Sequence, residues 1–468
     1  MGQGAQGFAG VDLHRRRHGH SLSRSARTHA QELLRNRWCA SSVAGMSTIL
    51  DAAAPTKLRH NRPYLLLMSG KTTQLVGAGI GAFAVPLIAF QVTGSVARAG
   101  LVAAVGEVGA LLAALPAGVV ADRVDRRRLI IGAALVGAVL WASVAVAGVL
   151  GHLTAAHLAA VLFAASLVTA LEGPAESGAL RAVVTPEQMP TAMAAVQGRS
   201  AVATLAAAPL GGLLYGFTRF LPVAAAAVAH VAVAVCTAFV RVPLSADVAT
   251  ERETHPVEAL REGLRFVWSR SFFRVALLLS PLINLTVNGL LVAVNLDLVR
   301  QHTEPLLIAL IDTVAGAAML GGAVLAPAVL RRVRVGTVLV AALAWIAVCF
   351  VAMAALHTYT AYVVLTALAV LPLGPANAGT SGYVAAVTPP RLQGRLASVM
   401  SLSYLLSAPL TPALAGGLLA ATGLQVTLWV FAGVLAVAVA AFAATRAAAG
   451  IGTPDTWAAD ALPDDAEA

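Results

Sequence analysis

Two carboxyl groups lie within the long apolar runs of this sequence. Glu107 precedes Ala121 by fourteen residues, which places it about 21 Å further along a helix that rises 1.5 Å per residue. Asp312 lies inside a later apolar run. Because an ionised carboxylate is costly in apolar surroundings, such a group suits proton uptake and release. A structural ion pair or a charge in an outer vestibule are the alternatives for Glu107.

Lys71 is one of only two lysines in the chain and lies about eight residues into the first apolar run. Its stem is long enough to carry the ammonium group back to the aqueous surface. The alternative is a role in an internal cavity, opposite Glu107, with Gln74 as part of the same polar patch.

Three asparagines, Asn284, Asn288 and Asn295, are spaced by four and seven residues, which places them on one face of a helix. This stripe predicts a polar wall of a central cavity, although hydrogen bonds between helices would also use it. Asn377, in a later apolar run, is a further cavity candidate.

The stretch "PAGVVADRVDRRRLI", residues 116–130, concentrates charge after a long apolar run. The chain as a whole is 58% hydrophobic and 12% charged, whereas a soluble protein carries about 25% charged residues. Apolar runs of about 20 residues are long enough to cross a bilayer as helices. We therefore predict an all-α membrane protein with twelve segments, at 63–91, 98–121, 128–150, 155–180, 190–216, 220–240, 271–299, 305–330, 335–357, 360–386, 395–421 and 424–446.

Arginines alternate from one connection to the next. They are concentrated in the connections at 122–128, 241–274, 331–334 and 391–395, and the intervening connections hold few. This is the pattern of the positive-inside rule, and it predicts that both termini are cytoplasmic. The net charge of +10 is thereby explained without a nucleic-acid partner.

The three cysteines are far apart, and no spacing of Cys and His typical of a zinc site is present. Nucleotide-binding glycine motifs and a GxSxG nucleophile motif are also lacking in the sequence. We expect no metal, no cofactor and no enzymatic activity. A membrane enzyme would need a cluster of His, Asp or Ser, and a receptor or scaffold on this architecture is a further alternative.

The two halves of the sequence repeat. "GPAESGALRAVVTPEQM" begins at Gly173 and "GPANAGTSGYVAAVTPPRLQ" begins at Gly374, about 200 residues later. We predict two bundles of six helices, 63–240 and 271–446, joined by a linker at 241–270. The linker contains an amphipathic helix with Leu260, Leu264 and Val267 on its apolar face. Residues 1–62 are expected to form a basic, disordered cytoplasmic arm, and residues 447–468 a disordered acidic tail.

The chain resembles the major facilitator superfamily, and within it the drug exporters that include macrolide and enterobactin exporters. The resemblance rests on the two-bundle repeat and on the loop signature G-x-x-x-D-[RK]-x-G-[RK]-[RK]. Here the signature residues are Gly118, Asp122, Arg123, Arg126 and Arg127, with Asp125 where the signature has Gly. The "DRxDRR" loop and "LREGLRFVW" resemble the exporter group.

The resemblance implies that Asp122 pairs with basic residues such as Arg391 or Arg395 in the outward-facing state; a topology signal alone is the alternative. Pro209, Gly211 and Gly212 resemble a shortened antiporter motif, although close helix packing explains them equally well. Glu176 is expected to be an interfacial charge, and Glu172 is left unassigned.

The resemblance also implies a twelve-helix, two-bundle fold in the cell membrane and proton-coupled export of an amphiphilic organic compound. An antibiotic, a toxic metabolite or a siderophore would fit. The alternative is an importer or uniporter of a small nutrient. The expected partners are the small-molecule substrate, protons and the lipid bilayer, and the chain is expected to be monomeric.

Overall fold

The computed structural model describes residues 58–244, 256–445, 447–448 and 450–459. The predicted arm lies almost entirely outside the described residues. Within them the chain is helical and no strand is present. The all-α membrane fold predicted from the sequence is confirmed.

The first half of the chain forms six long helices. Their bounds are α1 Arg62–Thr93, α2 Val96–Arg123, α3 Arg126–Val149, α4 Ala155–Val183, α5 Met189–Phe217 and α6 Leu221–Ala238. A short helix, α7, follows at Pro256–Ser269. The second half contains α8 Ser271–Arg300, α9 Pro305–Leu330, α10 Val335–Leu356, α11 Tyr359–Val370, α12 Leu373–Val387, α13 Pro390–Ser407 and α14 Leu410–Ala444.

Local capping explains why the helices begin and end where they do. The Tyr64 backbone N–H donates to Asn61 Oδ1 at 3.1 Å at the start of α1. Gly94, with φ 62°, ends the same helix in the left-handed conformation that glycine adopts without strain. The first nine predicted segments differ from these bounds by at most three residues at either end, because hydropathy marks a spanning helix clearly.

Eleven segments in the described part of the chain are long and apolar enough to cross a membrane. The last of them, Leu392–Ala444, has 53 residues, which is more than twice what a bilayer core of about 30 Å requires. Gly423, with φ 78° and ψ 170°, interrupts the helix inside this segment. A twelfth crossing would begin there, and the twelve-helix count stays a prediction.

Two ends of the bundle are distinguished by their connections. We call the end with residues 124–125, 184–188, 239–244, 256–270, 331–334 and 388–389 the arginine-rich end. The opposite end, with residues 94–95, 150–154, 218–220, 301–304, 357–358 and Gly423, is the arginine-poor end.

The halves are packed together most closely toward the arginine-poor end. There, a Cβ atom on Gly212 of α5 would lie 3.1 Å from the Pro305 carbonyl oxygen of α9. One hydrophobic cluster joins Phe83 and Leu87 to the second half, and another joins Leu296 and Leu419 to the first. Near the arginine-rich end, one cluster contains residues of the first half alone and another contains residues of the second half alone. The structure is therefore closed toward the arginine-poor end.

Helix α7 lies against the second half of the molecule. Its Glu262 forms an ion pair with Arg395 of α13, and its Phe266 and Val267 are buried. Val267 was expected on the apolar face, but Leu264, also expected there, is 43% exposed. The buried face is therefore rotated from the predicted one, because Gly263 allows α7 to approach the Arg395 backbone closely.

The residues after α14 differ from the expected disordered tail. Ala448 and Ile451 are buried, and Gly336 N–H donates to the Ile451 carbonyl oxygen at 3.3 Å. The Trp457 ring lies 6.0 Å from the Tyr383 ring, at 74° to it. The apolar residues within this acidic stretch pack against the helices, although its net charge suggested a disordered tail. Residues 460–468 lie outside the described residues.

Candidate functional site

Two cavities lie between the halves. The larger has a volume of 540 Å³ and the smaller a volume of 290 Å³. Both are lined mostly by apolar side chains, and Pro86 of α1 and Asn295 of α8 contribute to both. Such a mixture of apolar walls and a few polar groups is typical of sites for small organic molecules.

The two carboxyl candidates belong to different cavities and to different halves. Glu107 of α2 is exposed into the smaller cavity, and Asp312 of α9 is exposed into the larger one. Asn295 lines the larger cavity together with Asp312. A ligand in this region would thus meet one acidic group from each half.

The predicted asparagine stripe faces the cavities. Asn284 and Asn288 line the smaller cavity, and Asn295 lines both. Asn284 Nδ2 donates to the Ser280 carbonyl oxygen at 3.0 Å, and Asn288 Nδ2 to the Asn284 carbonyl oxygen at 2.9 Å. These bonds fix the orientation of the Asn284 and Asn288 amides, so that each leaves its carbonyl oxygen available to a ligand.

Lys71 does not lie opposite Glu107, and that expected pairing is wrong. Its Nζ atom lies 2.8 Å from Glu172 Oε2 of α4, and Lys71 is only 4% exposed. Gln74 Nε2 also donates to Glu172 Oε2 at 2.8 Å, and Lys71 Nζ donates to Gln74 Oε1 at 2.9 Å. Lys71 and Gln74 are therefore committed to a buried network and are absent from the residues that line the two cavities.

The network continues toward α5 through Arg199, a residue that the sequence analysis missed. Glu176 lies 3.7 Å from Lys71 Nζ and forms an ion pair with Arg199. Arg199 follows "TAMAAVQG" in α5, and a single arginine is not a distinctive signal in a chain rich in arginine. The signal available was the spacing of Glu172 and Glu176, which places two carboxylates on one helix face and calls for basic partners nearby. We call the five residues Lys71, Gln74, Glu172, Glu176 and Arg199 the buried charge network.

The arginines of the loop signature bind the first half of the chain. Arg127 Nη2 donates to the Ala238 carbonyl oxygen, and Arg126 Nη1 donates to the Leu244 carbonyl oxygen at 3.4 Å. Arg123 is at the last turn of α2. Asp125, which replaces the signature glycine, caps α3, because Arg128 N–H donates to its Oδ1 at 2.9 Å.

The expected partner Arg395 is paired with Glu262 of α7 in this conformation. The structure does not describe the side chains of Asp122 and Arg391 or the surroundings of Gly118. The gating role of Asp122 stays a prediction.

The motif in α5 is a packing site at the contact between three helices. Gly211 lies against the Phe83 ring of α1, and Gly212 lies against the α9 backbone at Pro305 and Leu306. Pro209 lies inside the same helix. Asn377 is exposed on α12 and is not among the residues that line the two cavities.

Comparison with protein families decides the class of the molecule. The family model described as Major Facilitator Superfamily matches residues 67–296 and 277–460, which together make up most of the chain. The protein belongs to the major facilitator superfamily. The loop signature of that superfamily is thus present here with one substitution, Asp125.

Relatives within the superfamily include efflux proteins. Proteins named "Multidrug efflux pump Tap", from Mycobacterium tuberculosis (strain ATCC 25618 / H37Rv) and Mycobacterium bovis (strain BCG / Pasteur 1173P2), are 28% identical to the chain over 393 residues. The matches cover 78% of this chain and 89% of each relative.

Solved structures of other transporters share the fold. A bacterial homologue of the iron transporter ferroportin in the inward-facing state has a TM-score of 0.67 and 16% identity, over 83% of this chain and 99% of that one. The nucleoside transporter NupG has a TM-score of 0.64 and 16% identity, over 81% of this chain and 98% of that one. At this identity the likeness concerns the fold alone.

Proposed function

We propose that this major facilitator protein exports amphiphilic organic compounds in exchange for protons, by alternating access of one central site. The main observation that supports this proposal is the pair of cavities between the halves. Both are mostly apolar, and they bring together Glu107, Asp312 and the asparagine stripe. The resemblance to multidrug efflux pumps supports export.

Apolar walls suit a compound that partitions into the bilayer, and two acidic groups suit one that carries a positive charge. Each carboxyl group is also able to take a proton when the compound leaves. Competition between proton and compound for the same carboxylate is sufficient for exchange, because either one neutralises the charge that the other would meet.

The arginine-rich end faces the cytoplasm in this proposal, with both termini on that side. The conformation, closed toward the arginine-poor end, is then the one that receives the compound from the cytoplasm. A bilayer-embedded monomer is sufficient, because each cavity is complete within one chain. An antibiotic, a toxic metabolite or a siderophore is the expected class of cargo.

The test is transport into proteoliposomes with an imposed pH gradient. Ethidium and tetraphenylphosphonium serve as cationic amphiphilic probes, and uridine serves as a nutrient probe. Accumulation of a cationic probe that collapses with the pH gradient supports the proposal. Uptake of uridine without a response to the cationic probes would identify the chain as a nutrient transporter and overturn it.

A further inference from the structure

The buried charge network lies apart from the two cavities and contains a carboxylate with an unusual environment. The side chains of Lys71 and Glu172 are 4% and 5% exposed. Both hydrogen bonds to Glu172, from Lys71 and from Gln74, end on Oε2. The other carboxylate oxygen, Glu172 Oε1, is buried and has no hydrogen-bond partner among the described residues. Burying an unsatisfied charged oxygen is costly, which calls for an explanation.

We propose that Glu172 is a proton-binding site of the first half. When Glu172 binds a proton it loses its ion pair with the Lys71 ammonium group, and when the proton leaves the ion pair forms again. The inference rests on the proposed proton coupling and adds to the cavity carboxylates a proton-binding residue outside the cavities. Protonation at Oε1 would remove the negative charge from a group that lacks a donor at that atom. The buried oxygen is thus the atom at which the proton is held.

Glu176 provides the second position for Lys71. It lies one helical turn from Glu172 on the same face of α4, and its side chain is 24% exposed. Lys71 Nζ lies 2.8 Å from Glu172 and 3.7 Å from Glu176, so that a movement of about 1 Å transfers the ion pair. Glu176 is also nearer the arginine-rich end, because α4 runs toward that end.

The proton and charge balance of the exchange is simple. A proton from water forms an O–H bond with Glu172 Oε1, and Lys71 keeps its own protons while its ion pair moves to Glu176. On release, the proton returns to water past Glu176, and Lys71 returns to Glu172. Neither step requires an oxidant, a reductant or a second substrate.

Other charged groups surround the network, which is neutral before the exchange and carries one net positive charge while Glu172 is protonated. Arg199 of α5 is paired with Glu176, and two of its nitrogen atoms, Nε and Nη1, are buried without a partner among the described residues. From α3, the Arg126 guanidinium group rests against Gly178 of α4, further toward the arginine-rich end. Two acidic and two basic groups thus form the network, with Arg126 as the next cation.

Helix α1 connects the network to the cavities. Lys71 and Gln74 lie in the network, while Leu75 and Gly79, within two turns of them, line the larger cavity. Loss of the two bonds from α1 to Glu172 on protonation would free α1 to move relative to α4. Proton binding is thereby linked to the shape of the cavity without a direct contact between proton and cargo.

The linkage has a definite sign. The structure, closed toward the arginine-poor end, holds Glu172 paired with Lys71, which is the arrangement of a carboxylate. Because this conformation binds one proton fewer, its population should rise as pH rises.

A distance measurement tests this without any cargo. Spin labels are attached to cysteines introduced at Val124 and Val333, which are 41% and 38% exposed at the arginine-rich end of the two halves. The background is the full chain with its three cysteines replaced by alanine, in lipid nanodiscs. The distance distribution is recorded from about pH 5.5 to about pH 8.5, a range in which one coupled proton changes a two-state equilibrium by up to about tenfold per pH unit.

We expect the population with widely separated labels to grow with pH in the otherwise native chain. In Glu172→Gln the slope of the logarithm of the equilibrium constant against pH should fall by about one proton. The double variant Lys71→Met/Glu172→Gln should lose the same slope. It removes both charges of the pair and leaves Glu176 paired with Arg199, so it provides the test if the single variant folds poorly. Glu304→Gln, at an exposed carboxyl group of the arginine-poor end, is the control and should keep the native slope.

The remaining outcomes separate the two proposals. A native slope in both Glu172 variants, with a pH response in the parent chain, overturns the assignment to Glu172 and leaves proton coupling standing. A parent chain without any pH response overturns the proposed proton coupling and this inference with it.

Discussion

Gly100 of α2 and Pro412 of α14 lie so close that a Cβ atom on Gly100 would be 2.3 Å from the Pro412 carbonyl oxygen. The approach is reciprocal, because a Cβ atom on Gly416 would be 2.5 Å from the Val96 carbonyl oxygen. Small residues thus allow the two halves to meet backbone to backbone near the arginine-poor end. In the proposed alternating-access cycle, this contact would form in one of the two conformations.

Gly100→Leu should therefore destabilise the conformation that is closed toward the arginine-poor end, by about 1–3 kcal/mol. The measurement is the rate at which an impermeant maleimide, added on the arginine-poor side, labels a cysteine at Asn288 in the smaller cavity. We expect faster labelling and slower transport at equal abundance. Gly417→Leu is the matched control, because nothing lies within 4 Å of its Cβ position. Equal labelling rates in the two variants would contradict the assignment of this contact.

The buried pair of Lys71 and Glu172 predicts a non-additive stability effect. Lys71→Met leaves Glu172 buried without its cation, which should cost about 3–5 kcal/mol of folding stability. Lys71→Met/Glu172→Gln should recover more than half of that loss, because it removes the unpaired charge. Thermal unfolding in detergent, followed by tryptophan fluorescence, gives the double-mutant cycle. Additive losses in the two single variants would show that the pair is not coupled.

This pair also shows what the sequence could and could not predict. Hydropathy located the first nine segments, because each spanning helix leaves a long apolar run on its own. It could not choose between Glu107 and Glu172 as the partner of Lys71, because periodicity gives the face of a residue and not the neighbouring helix. The asparagine stripe was predictable for the opposite reason, since its three members share one face of a single helix. The break at Gly423 lies between the predicted segments 395–421 and 424–446, although the apolar run continues through this residue.

Asp125 and Asp122 should respond differently to substitution, although they are three residues apart. Asp125→Ala removes the cap of α3 and should lower stability by about 1 kcal/mol, with transport retained. Asp122→Asn should impair transport at unchanged abundance if its charge pairs across the halves in the other conformation, as the family signature implies. The paired readout is thermal stability and transport rate per folded protein. The reverse pattern would assign the gating role to Asp125.

The segment after α14 should contribute to stability although it follows the last long helix. A chain that ends before residue 447 lacks the buried Ile451 and the Trp457 contact with Tyr383. We expect its free energy of unfolding to fall by about 3 kcal/mol, in line with the loss of large buried side chains. A chain that ends before residue 460 is the control and should match the native protein. Equal stability of both truncated chains would show that the packed segment adds nothing.

The two cavity carboxylates offer the sharpest test of the transport mechanism. Glu107→Gln and Asp312→Asn keep the size and polarity of each side chain but remove the ability to carry a proton. If a carboxyl group takes a proton in exchange for cargo, its neutral variant should lose accumulation driven by a pH gradient. It should still exchange labelled for unlabelled tetraphenylphosphonium, because alternating access with cargo bound needs no proton release. Both activities are measured in the same vesicles, with Glu304→Gln as the control at an exposed carboxyl group.

Loss of gradient-driven accumulation in one variant alone identifies the cavity group that exchanges protons. Loss of both activities identifies that carboxylate as a cargo-binding group, because charge is then needed in every step. Full gradient-driven accumulation in both variants would leave the buried carboxylate Glu172 as the proton carrier and would remove the cavity carboxylates from the coupling mechanism.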